Sequence, residues 1–194
     1  GNLTGTLNIS GGTALTLAAA STANIVNAAT MTGALTATVD TTTTDNVTGG
    51  AGDDNITVVT GATVTVDGGA GSNTLVVTGD IDSVTASNIG VISVAGNITS
   101  ADTSFFGSGA AHVVSGTAAG RTITTSNTAA NHDSTNVDLT NLVLNNIASF
   151  TVDASNGLST ALFTSTTGMS YQGSSVIDNV TGTGNNDVLH GNAG

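Results

Sequence analysis

Between residues 40 and 77 the chain repeats itself every nine residues, and so short a period leaves few folds open. Residues 40–48 and 49–57 align without a gap, placing Asp45 on Asp54 and Val47 on Ile56. Residues 68–76 repeat the pattern with Asn73 in the Asp position. The step from Asp54 to Asn73 is two nonapeptides and one inserted residue. The period returns in residues 173–181 and 182–190, with Asp178 and Asp187 in register, and residues 191–194 open a third repeat. Self-similarity at a fixed short period predicts a solenoid in which each repeat adds a layer.

The rest of the chain reads as β. Short alternations such as Leu7-Asn8-Ile9, Leu15-Thr16-Leu17 and residues 35–39 are period-two strand signals. Val91-Ile92-Ser93-Val94, Val113-Val114, Thr122-Ile123-Thr124, Leu142-Val143-Leu144 and Phe150-Thr151-Val152 continue the texture. Residues 18–29 are the best helical candidate, and residues 125–136 read as a longer polar loop. The chain has no Pro, no Lys and no Glu, and Thr and Val favour strands. Four Phe and one Tyr make a thin core, which suits stacked coils better than a thick globule.

The nonapeptide has the form Gly-Gly-x-Gly-x-Asp-x-U-x, with U a large apolar residue: Val47, Ile56, Leu75, Val180 and Leu189. Its first six residues predict a turn in which glycines permit close backbone approach. The Asp carboxylate and turn carbonyls are hard oxygen donors, and calcium takes about six to eight of these. The last three residues predict a short strand with U pointing inward. Two nonapeptides make a coil of about 18 residues, so alternate turns stack on one edge and are placed to share an ion. The proposed half-sites are Gly50, Gly52 and Asp54 against Gly69, Gly71 and Asn73. Asn73 brings an oxygen without charge, which predicts a weaker site, with Asp53 or Asp67 supplying the charge. Asp45 is expected on the opposite edge from Asp54. Asp178 and Asp187, the latter with Gly182 and Gly184, are likewise expected on opposite edges, with stacking partners past residue 194. The alternative is that all of these are plain Gly/Asn/Asp turns.

Charge narrows the partners. Thirteen Asp stand against one cation, Arg121, for a net charge of −12. A nucleic acid needs Lys and Arg at its phosphates, so that partner is excluded, and direct charge attraction to anionic lipid is disfavoured. No apolar run approaches the ~18 residues of a membrane helix. With no Cys there is no disulfide or thiolate site. His112, His132 and His190 fall in no metal-ligand or triad spacing, and no Gly-x-Ser-x-Gly elbow occurs, so no catalysis is expected. Arg121 reads as a surface residue or the partner of an Asp. The doublet Phe105-Phe106 reads as a cover on one face or a contact patch.

Residues 49–57, 68–76 and 173–194 resemble the RTX repeats of proteins exported by type I secretion. The wider texture resembles the calcium-dependent surface-layer proteins of Gram-negative bacteria. Residues 148–155 and 88–94 carry that likeness. The resemblance implies a right-handed parallel β-helix or β-roll, secreted and calcium-loaded, that assembles into a two-dimensional lattice at the cell surface. It implies anchoring to lipopolysaccharide only through other regions. The expectation is one solenoid segment, residues 1–194, of a longer parent chain. An adhesin, an ice-binding solenoid with Thr-x-Thr arrays, and the non-catalytic repeat region of an RTX enzyme are the alternatives.

Overall fold

A computed structural model of the chain describes residues 5–17, 24–39, 44–101, 103–106, 113–118, 120–126, 136–139, 143–153, 160–163, 169–172, 179–181 and 186–190. It is nearly all β, a parallel β-solenoid, and divides into two compact units, Gly1–Ser93 and Val94–Gly194.

In the first unit the strands are β1 (Thr6–Gly11), β2 (Leu15–Thr16), β3 (Ile25–Met31), β4 (Leu35–Val39), β5 (Thr44–Thr48), β6 (Asn55–Val58), β7 (Thr63–Asp67), β8 (Thr74–Asp80) and β9 (Val84–Ser87). Odd-numbered strands form one sheet in chain order, and β2, β4, β6 and β8 lie side by side in the other. Neighbours in each sheet are parallel, as they must be when the chain winds in one sense. Each strand is too short to hold a fold alone, and its stability comes from the coils above and below.

Alternation decides which residues enter the core. In β6, Ile56 and Val58 are buried while Asn55 is exposed; in β7, Val64 and Val66 are buried between exposed Thr63 and Thr65. Register then stacks like on like. Val26, Val47 and Val66 form one column, and Ala37, Ile56 and Leu75 form another facing it. Each fully buried Val, Leu or Ile contributes about 1.5–3 kcal/mol of apolar transfer.

The coil in this unit is longer than the two nonapeptides expected. Successive-coil partners such as Thr6↔Ile25, Asn46↔Thr65 and Ile25↔Asn46 all exceed that spacing. The extra residue between Asp54 and Asn73 is the normal pitch here. The chain needs the connection Val59-Thr60-Gly61-Ala62 to turn the second edge after β6.

Two local expectations are corrected. The helical candidate at residues 18–29 is strand from Ile25 onward, and residues 18–23 lie outside the described residues. Val26 pairs in register with Leu7 and Val47, and this stacking overrides the helical preference of the alanines. The polar segment at 125–136 is strand at both ends, in β12 and β13 below, with residues 127–135 outside the described residues.

β10 (Val91–Ser100) begins in the first unit and ends in the second, which holds a 3-10 turn (Thr103–Phe106), β11 (Val113–Gly116), β12 (Arg121–Ser126), β13 (Asn136–Leu139), β14 (Val143–Asn145), β15 (Ile147–Asp153), β16 (Thr160–Phe163), β17 (Met169–Gln172), β18 (Asn179–Thr181) and β19 (Val188–His190). Its strands also pair in parallel, but the step is uneven, short at Ser170↔Val188 and much longer at Val113↔Val143. Its core adds two buried Phe to aliphatic residues such as Ile98, Ile123 and Val152. Phe106 packs edge-on against Phe150 at 5.3 Å, and both are buried. Arg121 reaches Thr117 Oγ1 at 3.5 Å. Of the inward positions expected here, Val180 is half-buried, but Leu189 is 53% exposed. Among the described residues β19 pairs only with β17.

Candidate functional site

One edge of the first unit carries the turns between β1 and β2, β3 and β4, β5 and β6, and β7 and β8. The last two, residues 49–54 and 68–73, are the Gly-rich turns singled out in the sequence. They stack directly, because Ala70 N donates to Gly50 O at 2.8 Å and Thr74 N to Asp54 O at 2.8 Å. Glycine is required where they touch. A Cβ on Gly52 would lie 2.6 Å from the Gly33 backbone, and one on Gly71, at φ +89°, would lie 2.5 Å from Gly52 O.

Asp54 and Asn73 are each 1% exposed. Asp54 Oδ1 accepts Leu35 N at 2.7 Å from the preceding coil, and Oδ2 accepts Gly50 N at 2.8 Å from its own turn. Asn73 Oδ1 accepts Asp54 N at 3.0 Å, again from the preceding coil. Asn73 Nδ2 donates to Ala70 O at 3.1 Å and to Asn88 O at 3.0 Å. The two side chains therefore do not face each other across a shared space. Each points the same way along the stack and accepts the amide one coil back.

In this arrangement the oxygens of the calcium half-sites read from the motif also serve as acceptors for backbone amides. Both Asp54 oxygens are engaged by N–H donors, and Gly50 O accepts an amide. Each of these oxygens accepts a single N–H and keeps a second lone pair. Among the described residues no three His, Cys, Asp or Glu side chains converge.

The remaining site residues fall in several places. Gly69, at φ +74°, lies over Gly50, and Gly71 over Gly52. Asp53 is exposed at the same edge, its Oδ1 accepting Ser72 N at 2.7 Å. Asp67, at the end of β7, accepts Gly69 N at 3.0 Å and Asn88 Nδ2 at 2.7 Å, both on Oδ1. Those bonds, the Asn88 one foremost, hold its carboxyl below the ordinary Asp range against a smaller opposing effect of burial. Asp45 is not in a turn: it lies within β5 with its backbone paired to Val64. Asp187 precedes β19 and is half-buried. Asp178, Gly182 and Gly184 lie outside the described residues, as do His112 and His132.

The sequence reading missed Asn27, Thr48 and Asn88. Asn27 Oδ1 accepts Ala29 N at 3.1 Å while its Nδ2 donates to Asn8 Oδ1 at 3.1 Å. The signal was present as an Asn or Asp two residues before the amide it receives, an Asx-turn spacing. Its meaning depended on register, which places Asn27, Thr48 and Asp67 in one column.

No protein-family model, curated protein or solved structure matches the chain.

Proposed function

We propose that the chain is a structural segment of a secreted bacterial surface-layer protein, one that assembles with further copies into an extracellular lattice. The observation that supports this best is the regular stacking in the first unit. Coils of nearly constant length stack in parallel around an aliphatic core, and glycine-rich turns lie over one another on one edge. A repeating body of this kind offers long, uniform polar faces for lateral contact. One such column is Thr16, Thr36, Asn55 and Thr74 on the sheet of even-numbered strands.

Calcium enters this reading through carboxylates near solvent, Asp53 and Asp67, and through the repeat at residues 173–194, rather than through Asp54. A net charge of −12 opposes close packing of copies, and a divalent cation at the surface would offset that repulsion. The remainder of the parent chain would carry any anchor to lipopolysaccharide.

The test is electron microscopy and light scattering of the purified chain in calcium and after EGTA. Ordered sheets or large assemblies in calcium that disperse on chelation are expected. A chain that stays monomeric at all calcium concentrations counts against the proposal. The ice-binding alternative draws less support, because Asn55 interrupts the Thr column through Thr16 and Thr36, and Val76 the one through Thr38 and Thr57.

A further inference from the structure

We infer that position six of the Gly-rich turn is a clamp that sets coil register without metal, with Asp and Asn as two solutions to one hydrogen-bonding problem. The problem has two parts. A backbone N–H one coil back, at the start of the even-numbered strand, needs an acceptor. So does the N–H of the second glycine of the turn, which faces inward beside it. Buried amides left without acceptors are costly, so both must be met.

The first part is solved identically in the two coils. Asp54 Oδ1 takes Leu35 N, and Asn73 Oδ1 takes Asp54 N, each 19 residues back. This needs only a side-chain oxygen, which Asp and Asn share.

The second part is solved in two ways. At Gly50 the acceptor is Asp54 Oδ2, the second carboxylate oxygen. Asn73 has an NH2 group there and cannot accept. Gly69 N instead donates to Asp67 Oδ1 at 3.0 Å, two residues before it. The residue in register with Asp67 in the preceding coil is Thr48, and one coil further back it is Asn27. Asn27 makes a bond of the same spacing, accepting the N–H of Ala29, an exposed residue within β3, at 3.1 Å. Thr48 thus breaks a column of Asx-turn acceptors, and it does so in the coil where Asp54 offers two oxygens.

The remaining corner agrees. A Cβ on Gly68 would meet Asn88 O and Asn73 Nδ2, which are hydrogen-bonded to each other; one on Gly49 would meet Gly68 O and Asp54 Oδ2. An Asn at position 54 would therefore place its Nδ2 toward Gly68 O, as Asn73 does toward Asn88 O. Asn73 is on this account a compensated clamp rather than a weakened metal ligand.

The experiment is thermal unfolding of the chain and of Asp54→Asn and Thr48→Asn/Asp54→Asn, each in calcium and in EGTA. Asp54→Asn is expected to lower Tm by several degrees, because Gly50 N loses its acceptor. The double variant, which installs the solution seen at Asn27 and Asn73, is expected to recover most of that loss. Any shift of Tm by calcium is expected to be the same in wild type and Asp54→Asn. A calcium shift present in wild type and lost in Asp54→Asn would overturn the inference, since it would make Asp54 a ligand. Failure of Thr48→Asn to restore Asp54→Asn would also overturn it. If Asp54→Asn alone does not fold, a folded double variant upholds the clamp and an unfolded one refutes it. Absence of any calcium shift in wild type upholds the clamp and removes support from calcium at Asp53 and Asp67, so the two readings fail separately.

Discussion

Asn73 Oδ1 accepts the backbone N–H of Asp54 at 3.0 Å, and Asp54 repeats that bond to Leu35 at 2.7 Å. Both side chains are buried, and both link consecutive coils on one edge. The pair, which the sequence presents as a strong and a weak metal ligand, forms a two-step ladder of backbone acceptors.

Asn73→Asp follows from that ladder. The new carboxylate keeps an oxygen for Asp54 N but loses the Nδ2 that serves Ala70 O and Asn88 O. Two part-buried carbonyls would then face an acceptor, a destabilisation of about 1 kcal/mol. Denaturant unfolding checks it. A calcium ligand role at position 73 requires the opposite sign in calcium buffer.

The stacked glycines admit a graded test. Gly71→Ala combines a positive φ with a Cβ 2.5 Å from Gly52 O, and Gly52→Ala puts a Cβ 2.6 Å from the Gly33 backbone. Neither obstacle is a flexible side chain, so coil separation must increase, with an expected loss of about 2–3 kcal/mol. Gly61→Ala meets no neighbour within 4 Å and carries only the strain of φ +74°, about 1–2 kcal/mol. Gly90→Ala, whose nearest contact is 3.8 Å, is expected to be near neutral. Chemical denaturation of the four variants should reproduce this order.

Ile56 lies at the centre of the aliphatic stack, in register between Ala37 and Leu75 and fully buried. Ile56→Ala is expected to cost about 2–5 kcal/mol, because removing the side chain leaves a cavity the narrow core cannot refill. In the second unit Phe150→Ala removes the edge-on partner of Phe106, with about 3–5 kcal/mol expected. Urea melts followed by circular dichroism would measure both.

Asp67 makes stability depend on acid. Its folded pKa lies below the ordinary value of 3.8, so the folded state binds its proton less readily than the unfolded state. The stabilisation is complete above that value and disappears as pH falls through the lower folded pKa. Asp67→Asn keeps an acceptor for Gly69 N and should flatten this part of the curve below about pH 4. Melting temperatures of the two proteins across that range decide it.

Much was legible in the nonapeptide itself. Its U positions Val47, Ile56 and Leu75 enter the core, and the six-residue turns 49–54 and 68–73 lie together on one edge, because apolar alternation and glycine are local signals that stacking preserves. The period alone did not place Asp45, which aligns with Asp54 in sequence but lies inside β5. Nor did it reveal the column through Asn27, Thr48 and Asp67, whose members are not separated by any multiple of the nonapeptide.

The amino-acid sequence by itself determined that this chain is β-rich, that it repeats, which residues alternate inward, and where glycine must stand. Those are properties of single residues and their near neighbours. Only the tertiary structure decided what the polar side chains do. Whether an Asp oxygen meets an ion, water or an amide depends on which backbone the neighbouring coil lays beside it. That is set by a coil one residue longer than two nonapeptides, which directs Asp54 and Asn73 to amides one coil back.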